Sequence, residues 1–318
     1  MDITPVHTLN LSGVLTTSKT IIKANYSHFL ALSLFFLPLS ISLIITPTLR
    51  LSDHFFTVDI FRNFPPNQQK AVISNLLYIL IIYLSTLCAI STISFSTYHG
   101  FAGEQVNFFT SLKSLTFSIF PMIKTAIVAH LLLFIISLTF LLFTGVIVML
   151  AQNLGLLIDY NSIYFMCFSA VVVATLIVII IFFHVNWCLA LTIVVAESKW
   201  GVSPLIRSSY LVKGMRSVSL LLVLYFGIFS GILVCIYSDT VYRPALSSRG
   251  FMLFRMLATF LLMLIFLRST ATYTVLYMYC KALHGELALE IDEGFDHHYI
   301  NLQSDVDKVP QIIPVVSA

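Results

Sequence analysis

IYFMCFSAVVVATLIVIIIFFHVNWCLALTIVVA, residues 163 to 196, runs for 34 residues without a charged side chain, a glycine or a proline. About 20 apolar residues cross a hydrocarbon core some 30 Å thick. A helix of this length reaches roughly 50 Å at 1.5 Å per residue. Two short spans would need a tight turn, and nothing between Ile163 and Ala196 supplies one. The sequence therefore predicts one continuous helix, tilted or projecting beyond the bilayer.

Outward from it lie five more stretches of spanning length: His28–Ile45, Leu76–Ser96, Thr125–Leu150, Val218–Ile236 and Phe254–Cys280. Pro38 falls inside the first and is expected to kink it. Breakers separate the stretches: Pro65-Pro66, Gly100 with Gly103, Gly155, Gly201 with Pro204, and Pro244 to Gly250. The fold class read from this pattern is all-α: a polytopic membrane protein of about six transmembrane helices with short interfacial helices. Composition agrees, with 58% of the 318 residues hydrophobic and 10% charged, against about 25% charged in a soluble domain. The reading divides the chain into a segment 1–27 bearing an interfacial helix, a six-helix domain 28–281, and an acidic tail 282–318 expected to be largely disordered. Residues 1–27 show no apolar signal-peptide core, so the first span is expected to direct insertion.

Charge placement sets the expected orientation. Lys19, Lys23, Lys113, Lys124, Lys199, Arg207, Lys213, Arg216, Lys281 and Lys308 share one side, and Arg50, Arg62, Lys70, Arg243, Arg249 and Arg255 share the other. Ten against six favours both termini in the cytosol. The sequons at Asn10 and Asn25 are then expected to stay unmodified. A net charge of +3 gives no argument for nucleic acid. Two short helices are expected along the cytosolic interface. One covers Leu11 to Asn25, with Leu11, Val14, Leu15 and Ile22 on one face. The other runs from Ser203 as N-cap through Pro204 to a stop at Gly214, with Leu205, Ser209 and Val212 on one side and Ile206, Tyr210 and Lys213 on another.

Ionisable groups inside lipid are where function is sought first. Arg268, followed by Ser269, Thr270, Thr272 and Thr274, makes the sixth span polar near its middle. Either it contacts a ligand or ion, or it is structural, bonding carbonyls of neighbouring helices or snorkelling toward an interface; the structural reading is favoured because the spans hold no carboxylate to pair with it. His130 and His184 read as hydrogen-bonded core histidines, since a zinc site or proton relay would need further ligands or acids nearby. Asn186 beside Trp187 suits an interface or a protein-lined interior. At the interface, Glu197 is expected to pair with Lys199 or Arg207, while Arg207 and Lys213 face anionic headgroups. The run Asp292 to His298 lacks EF-hand spacing and reads as a solvated surface for a cytosolic protein partner. Gly227 and Gly231 would permit close packing within the bundle or in a homo-oligomer. Cys88, Cys167, Cys188, Cys235 and Cys280 show neither zinc nor disulfide spacing, and Cys280 beside Lys281 is a weak palmitoylation candidate. P-loop, GxSxG, HExxH and histidine-box patterns are absent, so neither an enzyme nor a cofactor is expected.

The run Trp187 to Glu197, followed by Arg207-Ser208-Ser209-Tyr210-Leu211-Val212-Lys213-Gly214, is similar to a pattern in a family of uncharacterised plant multipass membrane proteins. It also resembles the membrane domain attached to some bacterial glycerophosphoryl diester phosphodiesterases. Tyr277 to His284 resembles the final helix of the plant family. The resemblance implies a six-helix membrane domain without catalytic residues, because the bacterial enzymes carry their chemistry in a separate soluble domain. The expected role is that of a membrane organiser or adaptor in an endomembrane or the plasma membrane. The alternative is a small transporter or channel using Arg268, His130 and His184.

Overall fold

The computed structural model describes residues 10–45, 66–104, 106–155, 162–239 and 249–286. Expectations placed on Arg50, Arg62, Arg243, the turn at 244–248 and the acidic run beyond Glu286 lie outside the described residues. The chain begins with α1 (Leu11–Ala24). The first span is built from α2 (Tyr26–Ser33), a 3-10 turn (Leu34–Phe36) and α3 (Leu37–Ile45). Pro38 has no N–H to give the Leu34 carbonyl, and the chain tightens where that bond is lost. Then follow α4 (Pro66–Phe101), α5 (Phe108–Asn153) and α6 (Ile163–Trp187). The short α7 (Ala190–Glu197) and α8 (Ser203–Leu211) lead through a 3-10 turn (Val212–Gly214) to α9 (Arg216–Asp239) and α10 (Arg249–Leu283). Six helical stretches are long and apolar enough to cross a membrane.

The core gathers around α10. Its Met263, Leu267 and Ala271 pack with Phe29 and Leu32 of α2 and Ala89 and Ile93 of α4. Nearer its end, Val275 to Met278 pack with Leu189 and Ile193 beside and within α7, and Leu222 and Phe226 of α9. By contrast, no residue of α5 from Ile127 onward, and none of α6 before Val185, is buried. Without a hydrophobic drive between helices in lipid, an all-apolar helix need not be covered. The outer parts of α5 and α6 form an arm beside a compact base.

Four expectations are corrected. The helix from Ile163 is not continuous to Ala196; it breaks at Cys188–Leu189, so α6 stays on the periphery while α7 turns into the core with Leu189, Ala190, Ile193 and Val194 buried. The third span extends N-terminally to Phe108, and its 46 residues reach roughly 69 Å. It is tied to the α7–α8 connection about five turns in, where Thr125 Oγ1 accepts the Gly201 N–H at 3.0 Å. The N-cap of α8 is Val202 rather than Ser203, because the first amide bonds, from Leu205 and Ile206, reach the Val202 carbonyl. The helix expected to run from Ser203 to a stop at Gly214 ends as an α-helix at Leu211 and reaches that stop through the 3-10 turn, where a Cβ on Gly214 would collide with the Leu283 side chain at the end of α10.

α1 forms as its periodicity predicts, but its buried face packs on protein. Val14 and Ser18 are fully buried. Ser18 Oγ lies 3.0 Å from Thr272 Oγ1, and Thr17 Oγ1 lies 2.7 Å from the Tyr279 hydroxyl. Gly227 and Gly231 have nothing within 4 Å of a Cβ position, so they are not packing contacts within the bundle among the described residues.

Candidate functional site

The break between α6 and α7 needs partners for backbone groups that a continuous helix would satisfy itself. Ser208 of α8 provides two: its hydroxyl donates to the Asn186 carbonyl at 2.7 Å and accepts the Leu189 N–H at 3.3 Å. Ser219 of α9 donates to the Val185 carbonyl at 3.2 Å and lies 3.0 Å from Cys188 Sγ. Ser208 and Ser219 are fully buried. Asn186 is 6% exposed and its Nδ2 donates to the Phe182 carbonyl at 2.7 Å, closing the last turn of α6. Two hydroxyls from two later helices thus take the place of helical hydrogen bonds.

The redirected α7 delivers Glu197 to the end of the bundle, where Ser198 adopts a left-handed φ of 52° and folds Lys199 back. Lys199 Nζ donates to Glu197 Oε2 at 2.7 Å, Arg207 Nε to Oε1 at 3.3 Å, and the Tyr277 hydroxyl to Oε1 at 3.1 Å. Arg207 Nη2 also pairs with Glu286, just past α10. The Glu286 carboxylate, with Glu197 alongside, holds the Arg207 guanidinium above its ordinary pKa. The expected Glu197 pairing is present with both partners. Arg207, expected at the headgroups, is instead committed between two carboxylates. Lys213 lies 5.9 Å from the Tyr210 ring, which itself packs on His284 at 4.9 Å. Lys199, Ser203, Ile206, Arg207 and Tyr210 line an open depression of about 590 Å³.

The remaining candidates do not converge. His130 is exposed on α5, with Nδ1 2.6 Å from the Ala126 carbonyl of its own helix and its ring edge-on to Tyr83. His184 is exposed on α6. Arg268 is half-buried, and its Nε is enclosed without a hydrogen-bond partner. The hydroxyls of Ser40, Ser91 and Ser94, on α3 and α4, share that condition. No hydrogen bond, ion pair or ring contact joins Arg268, His130 and His184 to one another among the described residues. Nor do these residues contain a group of three metal-ligating side chains. Sequence reasoning missed Ser208, Ser219, Tyr277 and Glu286. It also missed His28, whose Nε2 lies 3.0 Å from Ser96 Oγ, itself 2.8 Å from Ser111 Oγ, linking α2, α4 and α5.

Among the described residues, six apolar helical stretches with their core gathered on α10, closed at one end by an ion-pair network, define an all-α polytopic membrane protein. Residues 1–304 match the family model described as a domain of unknown function (DUF8558). The chain belongs to that family. No curated protein and no solved structure matches it.

Proposed function

We propose that this protein is a non-catalytic membrane organiser: a fixed base that presents the α5–α6 arm sideways to lipid and to other membrane proteins. The observation that carries this reading is the contrast between the two parts. The base is tied by Glu197, Arg207, Tyr277 and Glu286, whereas the most apolar windows of α5 and α6–α7 have no buried residue. The N-terminal helix, the α4–α5 and α7–α9 connections and the end of α10 gather at one end. Thr17 with Tyr279, Phe101 at the end of α4 with Tyr279, and Arg207 with Glu286 are contacts between them. With the charge bias, this supports both termini on the cytosolic side. An endomembrane or plasma-membrane location follows the resemblance to plant multipass proteins, and the acidic tail would take a cytosolic protein partner.

The test uses sealed microsomes holding the full chain, with a C-terminal tag and a photo-reactive residue at Leu142 on the arm or Ile232 on α9. These positions are 62% and 53% exposed, so random collision labels them alike. The reading expects the tag to be digested from outside, and protein adducts to form several times more often from Leu142. A protected tag would overturn the orientation, and equal labelling would overturn the arm as the contact surface.

One observation favours a transporter or channel instead, namely that Arg268 Nε and the hydroxyls of Ser40, Ser91 and Ser94 are each enclosed without a partner. Under the organiser reading, Arg268→Leu folds as well as or better than the native chain, because an unpaired charge in a membrane interior is costly. Arg268→Glu lowers abundance without a specific flux defect. Normal abundance of Arg268→Leu together with abolished uptake of a solute would replace the organiser by the transporter.

A further inference from the structure

Between the inner part of α6 and the first turn of α9 runs a groove of about 320 Å³. Val178, Ile181, Phe182 and Leu220 form its apolar trough, and Arg216 and Ser217 stand at its mouth. Ser219 touches the backbone at Val185, which sets the level of α9 against α6. Arg216 lies three residues outward from that level, and Val178 lies seven residues inward. The groove therefore runs along the helices, from the charged end of the bundle toward the hydrocarbon.

Arg216 differs from the other cations of its connection. Lys199 and Arg207 are paired with Glu197 and Glu286, and Lys213 lies against the Tyr210 ring. Among the described residues, Arg216 alone of these four has neither a carboxylate nor a ring against it. A free guanidinium caps a trough that is otherwise apolar.

We infer that this groove binds one anionic glycerophospholipid, with its phosphate on Arg216 and Ser217 and an acyl chain along Val178, Ile181, Phe182 and Leu220. The polarity runs in the same sense as that of a lipid, charged at the mouth and apolar inward. A helix from a second copy, about 10 Å across, would lie over the trough and leave the Arg216 charge unmatched, whereas a lipid phosphate matches it. Arginine matches a phosphate through two parallel N–H donors, which the paired Arg207 cannot offer. The inference needs only that the chain lies in a bilayer, so it stands or falls separately from the organiser reading.

The test places the full-length protein in nanodiscs of zwitterionic phosphatidylcholine with a minor fraction of phosphatidylserine. Lipid retained per chain is then counted by native mass spectrometry after mild detergent exchange. One phosphatidylserine should be retained preferentially, and Arg216→Gln should reduce that preference about fivefold, the effect of one basic side chain near an anionic surface. Lys213→Gln should leave it within twofold. Leu220→Trp should fill the trough and abolish retention while Arg216 remains; helicity and elution volume would show that each variant is folded. Soluble glycerol phosphate should not compete. Equal losses in Arg216→Gln and Lys213→Gln would mean general attraction to an anionic surface and overturn the site. Undiminished retention in Leu220→Trp, or competition by glycerol phosphate, would overturn the acyl groove.

Discussion

Glu197→Leu should lower stability by about 3 kcal/mol, the loss expected when one partner of a largely enclosed ion pair is removed. The Glu197 side chain is 12% exposed and accepts from Lys199, Arg207 and Tyr277, so its removal deprives three donors of their acceptor at once. Removing it separates the end of α7 from α8 and α10, and leaves Arg207 held by Glu286 alone. Glu197→Gln keeps the shape and two acceptor lone pairs, so it should cost less than half as much. Lys199→Gln removes only the partner that is 43% exposed, and exposed pairs contribute under about 1 kcal/mol. Thermal unfolding of purified protein in detergent would rank the three variants. Equal midpoints for Glu197→Leu and Lys199→Gln would show that the network does not hold the base together.

Ser208→Ala is the second large effect, for a different reason. Its hydroxyl makes two bonds to backbone groups at the α6–α7 break, and alanine removes both without adding bulk to the buried site. Interhelical hydrogen bonds in membranes average about 0.6 kcal/mol, whereas a buried polar group left without a partner costs about 1–3 kcal/mol. A loss near the first figure would mean that α6 and α7 close into one straight helix and satisfy themselves. A loss near 2 kcal/mol, which the structure favours, means that the break persists with an orphaned carbonyl and amide, because Ser219 still holds the Val185 carbonyl. Ser209→Ala is the control, since that hydroxyl returns only to Leu205 of its own helix. It should change the midpoint by less than a degree or two. A Ser208→Ala protein as stable as Ser209→Ala would remove the serine from any role at the break.

The six spans were legible because lipid imposes length and apolarity on each segment independently of its neighbours. Helices α1 and α8 were legible because their apolar positions recur at helical spacing, and α8 also has a proline in its first turn and a glycine at its stop. The break at Cys188–Leu189 was not, since no residue within 163–196 causes it. Its causes are Ser208 and Ser219, which come later in the chain and meet the backbone only after folding. The same limit applied to Arg207. Counting cations placed it at the headgroups, but its partner Glu286 follows α10, in the segment read as a separate tail. His130 and His184 were correctly found within apolar helices, yet which face they occupy depends on packing, and the structure turns both outward. Gly214 was read as a helix stop, and the structure adds that Leu283 requires its lack of a side chain.

Because hydroxyls rather than a continuous ladder join α6 to α7, the fourth span behaves mechanically as a jointed rod. Side-chain hydrogen bonds tolerate changes of angle that backbone helix bonds do not. A rigid helix must answer a thicker or thinner bilayer by tilting as a whole or by deforming the lipid, at fractions of a kcal/mol per Å of mismatch. Here α6 can change its inclination at Cys188–Leu189 while α7 keeps Glu197 seated among its donors. The strain of mismatch is then absorbed at the joint, and the charged end of the molecule keeps its geometry from one membrane thickness to another.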